Sequence, residues 1–364
     1  MHPKYVTPDA IGIDAVRLKA ASRVIQRGLD AGLYPGAVYI IGRSNGTLEP
    51  QCFGVINPET QQPVRPNTIF DLASLTKPIA TASSLILLVE RGNLHLKQPL
   101  KDFFPDYELP HLSEITLFHL LTHTSGLPAY KDLYSSKLTR DEIISAILEL
   151  SPENPPGSKY TYSCLGYILL GEIIRLVSGS DLDQFSRKNI FERLEMNDTF
   201  FNPVGEPLTR TAATTGCPVR KNTLVGQVHD PNAWALSGIS GNAGLFSTAI
   251  DLSRFMTMLL CRDIDVFSRA SFDIIYRNLI NPAIGGHTAG WFIHPNEMLP
   301  SGDLMSDDTI GHTGFTGTSV VIDSKCDLFV ILLTNRVWNP DDGTEFRKTR
   351  RLFHNTTAQA VLSI

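Results

Sequence analysis

From Asp14 to Leu29, Val16, Ala20 and Val24 recur at helical spacing and the run closes near Gly32 and Gly36, which predicts an amphipathic N-terminal helix. The period then changes. Ala37-Val38-Tyr39-Ile40-Ile41 is a short, β-branched apolar run closed by Gly42 and the turn-like Ser44-Asn45-Gly46, with Cys52-Phe53-Gly54-Val55-Ile56 as its expected hairpin partner. From Ser74 to about residue 260 the chain reads as helices and long loops. Thr139-Arg140-Asp141-Glu142 opens one helix with a capping box, Leu165 to Val177 forms another before Ser178-Gly179, and Thr248-Ala249-Ile250-Asp251 starts a third. Thr318 to Ile322 and Leu328 to Leu333 are strand-like runs joined by Asp323-Ser324-Lys325-Cys326-Asp327, and a last helix is expected over Glu345 to Leu362.

Strands at both ends and helices between them predict an α+β fold: one antiparallel sheet assembled from the two termini, with a helical region inserted. On this reading residues 1–72 together with 245–364 form an α/β sheet domain and residues 73–244 a mainly helical one. The 364 residues, 42% hydrophobic and 19% charged, have the make-up of a globular protein rather than a disordered or fibrous one. Lys plus Arg is 32 against Asp plus Glu 37, a net charge of -5 that argues against nucleic acid as partner. The apolar stretch around Leu85 to Val89 is broken by Glu90 and Arg91, so no membrane span is expected. Met1 to Pro8 lacks a basic region followed by an apolar run, and Cys52, Cys164, Cys217, Cys261 and Cys326 are odd in number and widely spaced, which together point to unpaired thiols and the cytoplasm.

Candidate chemistry begins at Ala73-Ser74-Leu75-Thr76-Lys77-Pro78, ahead of the apolar run Ile79 to Val89. Pro78 is tolerated only in a first helical turn, which puts the helix start at about Ser74 or Leu75 and Ser74 and Lys77 on one face. A serine at a helix start has backbone N–H groups nearby to stabilise an oxyanion, and a desolvated lysine beside it can act as base. Alone, a Ser-x-x-Lys tetrad occurs by chance. Two further segments add weight: Tyr160-Thr161-Tyr162-Ser163-Cys164, running from a turn into a helix, and Gly311-His312-Thr313-Gly314-Phe315, before the strand at Thr318.

Ser-x-x-Lys, Tyr-Ser-x and His-Thr-Gly in this order resemble the serine penicillin-recognising hydrolases, in the branch of class C β-lactamases, DD-peptidases, D-amino-acid peptidases and β-lactamase-like esterases. Leu120 to Pro128, Tyr167 to Gly171 and Gly244-Leu245-Phe246-Ser247 extend the likeness over about residues 35 to 335. The resemblance implies a β-lactamase/transpeptidase-like fold and a serine hydrolase acting through an acyl-serine intermediate, without metal or organic cofactor. It makes Ser74 the nucleophile and has Lys77 and Tyr162 move its proton. The backbone N–H groups of Ser74 and Phe315 would form the oxyanion hole, and Cys164, His312, Thr313 and Gly314 would bind substrate. Two departures stand out: Cys164 occupies the asparagine position of Tyr-x-Asn and cannot donate an amide hydrogen bond, and His312 replaces the lysine of Lys-Thr-Gly, making a positive charge there depend on pH.

The expected substrate is a small molecule or short peptide, DD-peptidase-like, with a β-lactamase-like carboxylesterase or a non-hydrolytic binding protein as alternatives; oligomeric state is not legible. Competing signals read as structural. His119 and His123 are spaced i, i+4 without a third ligand, Gly238 to Gly244 fits no nucleotide loop, and Val228-His229-Asp230-Pro231-Asn232 reads as an Asx-type turn. Tyr160 is the rival of Tyr162 and is expected to pack.

Overall fold

The computed structural model describes residues 4–339 and 343–362; Met1, His2 and Pro3 of the N-terminal stretch lie outside these. Strand Gly36–Arg43 pairs antiparallel with Gln51–Asn57 on one side, as the hairpin pattern predicts, and with Leu328–Thr334 on the other, in a register that sets Ala37 against Thr334 and Ile41 against Val330. The sheet runs Gln62–Pro63, Gln51–Asn57, Gly36–Arg43, Leu328–Thr334, Ser319–Asp323, Thr309–Thr313, Phe292–Ile293, with Gly46–Thr47 folded back on Gly36–Arg43. Both ends of the chain therefore build one sheet.

Because side chains alternate along a strand, Ala37, Tyr39 and Ile41 join Val330 and Leu332 on one face, and Val38 and Ile40 join Ile331 and Leu333 on the other. The first face is covered by helices Ala15–Asp30 and Thr344–Ala358. The second packs on helix Ala249–Cys261 and runs into the large core of the helical region. The local signals place the helix ends well: the Asp14 carboxylate accepts from Val16 and Arg17, Thr139 and Glu142 form the reciprocal box, Ser163 caps Cys164–Ser178, and Gly179 ends it in the left-handed conformation. The last helix stops at Ala358, earlier than Leu362, because Val361 bridges to Ile13 and the Leu362 N–H bonds to Gly12.

One element has no counterpart in the pattern reading. Strands Ile69–Asp71, Leu245–Thr248 and Phe200–Phe201 form a second, three-stranded sheet with Leu245–Thr248 in the middle. It leads straight into Ser74. Among the described residues no helix is long and apolar enough to cross a membrane.

Candidate active site

Strand Ile69–Asp71 delivers the chain to Ala73, whose φ of +48° is in the left-handed region. For a residue with a Cβ that conformation costs roughly 1–2 kcal/mol, so other contacts must hold it. Asp71 supplies them: one carboxylate oxygen accepts the Ala73 N–H at 2.8 Å and the other the His229 N–H at 2.6 Å. From the other side, the Thr316 and Thr318 hydroxyls donate to the carbonyls of Asp71 and Leu72 at 2.6 and 3.0 Å, stapling the segment after Thr309–Thr313 to the approach of Ser74. Gly314 is required at this crossing, because a Cβ there would lie 2.4 Å from the Leu72 carbonyl oxygen. Among the described residues, neither the Ser74 nor the Phe315 N–H finds an acceptor, so both are available to an oxyanion.

The helix carrying Ser74 begins where Pro78 implies, with a different geometry. A 3-10 turn over Ala73–Leu75 is followed by a π-helical stretch, Lys77–Ala82, and only then by α-helix Ser83–Glu90. Pro78 withholds an N–H within this wider stretch, and the Ser83 hydroxyl takes up the Pro78 carbonyl at 2.8 Å. Ser74 and Lys77 still face each other. Lys77 is 0% exposed, and its Nζ donates to Ser74 Oγ at 3.1 Å, to the Asn242 carbonyl at 2.9 Å and to Cys164 Sγ at 3.6 Å, while sitting 4.9 Å from the centre of the Tyr162 ring. The Asn242 contact depends on close packing of Ser240-Gly241-Asn242 on helix Cys164–Ser178. A Cβ at Gly241 would lie 2.0 Å from the Tyr167 carbonyl oxygen. The same loop accepts the Thr81 hydroxyl on its Gly241 carbonyl at 2.8 Å, so it grips the segment after Ser74 twice.

Burial, with the Cys164 thiol nearby, pushes the Tyr162 hydroxyl well above its ordinary range, and a hydrogen bond with Ser74 pulls the other way. The resting side chain is a neutral phenol. The Cys164 thiol is also raised, by burial first, although Lys77 opposes that.

These groups open onto a cavity of about 880 Å³. Ser74, Tyr162, Cys164, Thr313, Gly314 and Phe315 are on its wall; Lys77 lies behind them. His312 departs from the expectation that it would line the substrate edge with a pH-dependent charge. It is 1% exposed, stacked on Phe292 at 4.5 Å, with Nδ1 2.9 Å from the Thr313 carbonyl. Burial, with Lys77 and His287 nearby, holds it well below the usual imidazole range, so it is neutral at neutral pH and supports Tyr162 at 6.0 Å between ring centres. Tyr160 is away from the cavity wall, its hydroxyl 3.5 Å from His287.

The two histidines at i, i+4 spacing have structural partners: His119 caps helix Leu117–Leu121 through Thr116, and His123 Nδ1 accepts the Ser163 N–H at 3.1 Å. The segment after Val228 departs from the turn reading. Asp230 caps helix Pro231–Ala235, Asn232 is buried and binds Lys131 and Leu133, and both His229 and Asp230 reach the cavity. No motif assigns a role to Asp71 or Asn242, since the contacts of Asp71 with His229 and of Asn242 with Lys77 join segments far apart in sequence.

The family model described as Beta-lactamase matches residues 21–353, and this chain belongs to that family, a family of serine hydrolases. Among its relatives, a "Putative D-alanyl-D-alanine carboxypeptidase" of Escherichia coli (strain K12) is 30% identical over 375 residues, covering 92% of this chain and 86% of that protein. An "N-acetylmuramyl-L-alanine amidase" of Bacillus subtilis (strain 168) is 27% identical over 381 residues, covering 93% and 86%. The solved structure of "EstCE1, a hydrolase with promiscuous acyltransferase activity" superposes with a TM-score of 0.75 at 20% identity over 92% of this chain and 98% of that one, a likeness of fold.

Proposed function

We propose that this chain hydrolyses an amide or ester bond through an acyl-Ser74 intermediate. The observation that carries the reading is the buried Lys77 amine 3.1 Å from Ser74 Oγ at the floor of the cavity. In this scheme Ser74 Oγ attacks the substrate carbonyl carbon and its proton passes to the Lys77 nitrogen, which faces it at 3.1 Å. The neutral Tyr162 phenol gives its proton to the leaving group and recovers one from Lys77, and the Ser74 and Phe315 N–H groups bind the oxyanion. A water molecule then attacks the acyl carbon with the same groups in reversed roles. No step draws on His312.

For the substrate we prefer a short peptide ending in a D-residue, a preference supported by Thr313 and Gly314 on the cavity wall and by the carboxypeptidase and amidase names of the relatives. Cys164 favours a second reading, a small ester, because a thiol offers a substrate amide no N–H donor. The reacting groups then lie where a helical half, residues 73–244, meets the sheet half. The test compares kcat/KM on an acyl-D-Ala-D-Ala peptide with that on a short acyl ester, in wild type, Ser74→Ala and Lys77→Ala. Ser74→Ala is expected to abolish both activities and Lys77→Ala to lower them by about 10²–10⁴-fold. Turnover that survives Ser74→Ala overturns the scheme. Ester turnover without peptide turnover overturns the substrate preference alone.

A further inference from the structure

The hydrogen bonds of Asp71 fix a second carboxylate beside the nucleophile turn. Since Asp71 holds the N–H of both Ala73 and His229, the residues preceding Ser74 and Asp230 hang from one carboxyl group. Asp230 is thereby set on the wall of the same cavity as Ser74. One of its oxygens accepts the Ala233 N–H at 2.7 Å; the side chain is half-buried, and among the described residues no lysine or arginine lies within ion-pair distance of it. Tyr130 and Tyr134 stand on the same stretch of wall, close enough that the Asp230 charge and the Tyr134 hydroxyl act on the Tyr130 phenol. Arg350 also lines the cavity. It is buried, donates to the Thr318 carbonyl at 3.2 Å and lies 4.7 Å from the Phe346 ring centre.

The cavity thus carries the Asp230 carboxylate, outside any ion pair among the described residues, together with two phenol rings, while Glu297 and the guanidinium groups of Arg336, Arg347 and Arg350 also line its wall. A half-desolvated carboxylate repels an anionic substrate group and attracts a cation, and tyrosine faces add to that preference. We propose that Asp230, with Tyr130 and Tyr134, binds a primary ammonium group of the substrate, so that the enzyme selects amine-bearing peptides or esters over their N-acylated counterparts. This inference rests on the serine-hydrolase reading above and narrows its substrate class.

The experiment measures hydrolysis of the methyl esters of D-alanine, N-acetyl-D-alanine and N-succinyl-D-alanine by wild type and Asp230→Asn, a change that keeps the helix cap. Wild type is expected to favour the amine-bearing ester over the acetylated one by about tenfold, mostly in KM, with the succinylated ester slowest. In Asp230→Asn the amine-to-acetyl ratio falls to about one. The wild-type ratio, and its decline at high salt, needs no variant. A wild-type ratio of one or less, with the acetylated ester still turned over, overturns the ammonium site and leaves the hydrolase standing. A ratio that persists in Asp230→Asn also overturns it. No turnover of any ester overturns this inference, and it brings down the hydrolase reading as well where the acyl-D-Ala-D-Ala peptide is not turned over either.

Discussion

Asp71 accepts two N–H bonds, which a protonated acid cannot do as well as a carboxylate. Burial lifts its carboxyl from 3.8 to about 6, so its stabilising contribution is present below 3.8 and is lost as pH rises through 6, by roughly 3 kcal/mol. Activity runs the other way. The ionised form holds Ala73 and His229 in place, so kcat/KM is expected to fall as pH drops below about 6, and Asp71→Asn is expected to lower it by about 10–100-fold and remove that limb. His287 at about 3, and His123 and His312 held well below 6.5, do not titrate there; a limb that persists in Asp71→Asn contradicts the assignment. At Cys164 the account expects Cys164→Asn to raise kcat/KM on an acyl-D-Ala-D-Ala peptide, by about tenfold for one added hydrogen bond. A fall on that peptide would show that the thiol's contact with Lys77 matters more than a new amide donor. Motif residues were legible here because their types and order are distinctive. The burial of His312 was not, since a strand residue's facing depends on which neighbour covers it.

At the scale of elements, helix ends were legible and the small sheet was not. Asp14, Thr139, Ser163 and Thr248 cap through contacts within three residues, which a linear sequence displays. Ile69–Asp71, Phe200–Phe201 and Leu245–Thr248 are two to four residues long, too short for a period of two to show, and their pairing joins segments far apart in sequence. Yet this sheet aligns the site: the Leu72 N–H bonds to the Leu245 carbonyl at 2.9 Å, and the Thr76 hydroxyl accepts the Leu245 N–H at 3.1 Å. The π-helical stretch after Ser74 was equally hidden, because Pro78 marks where a helix starts and says nothing of its pitch. Gly241→Ala tests the grip of the neighbouring loop. Its Cβ would meet backbone at 2.0 Å, so a stability loss of about 1–3 kcal/mol in chemical denaturation and a larger proportional loss of kcat than of KM affinity are expected. Unchanged kcat in a folded Gly241→Ala protein would show that the Asn242 carbonyl is dispensable to Lys77.

Across the whole molecule, strands from both termini share one sheet, so the segment carrying His312 to Phe315 and the segment carrying Ser74 depend on a common core. That architecture was readable because the short apolar runs Ala37 to Ile41 and Leu328 to Leu333 mark strands at opposite ends of the chain. Ile41 lies on the face covered by the terminal helices, remote from the cavity wall, and is 1% exposed. Ile41→Ala is expected to cost about 2–5 kcal/mol in denaturant unfolding while leaving kcat/KM near wild type well below the transition; a selective loss of activity without loss of stability would contradict the separation of core and site. Ser74 is the residue expected to be acylated. The most direct test is intact-protein mass spectrometry with peptide mapping after wild type and Ser74→Ala are incubated with a fluorophosphonate and, separately, a β-lactam. The account expects a single adduct mapping to Ser74 in wild type and none in the variant. An adduct on another residue, or one that survives Ser74→Ala, would contradict it.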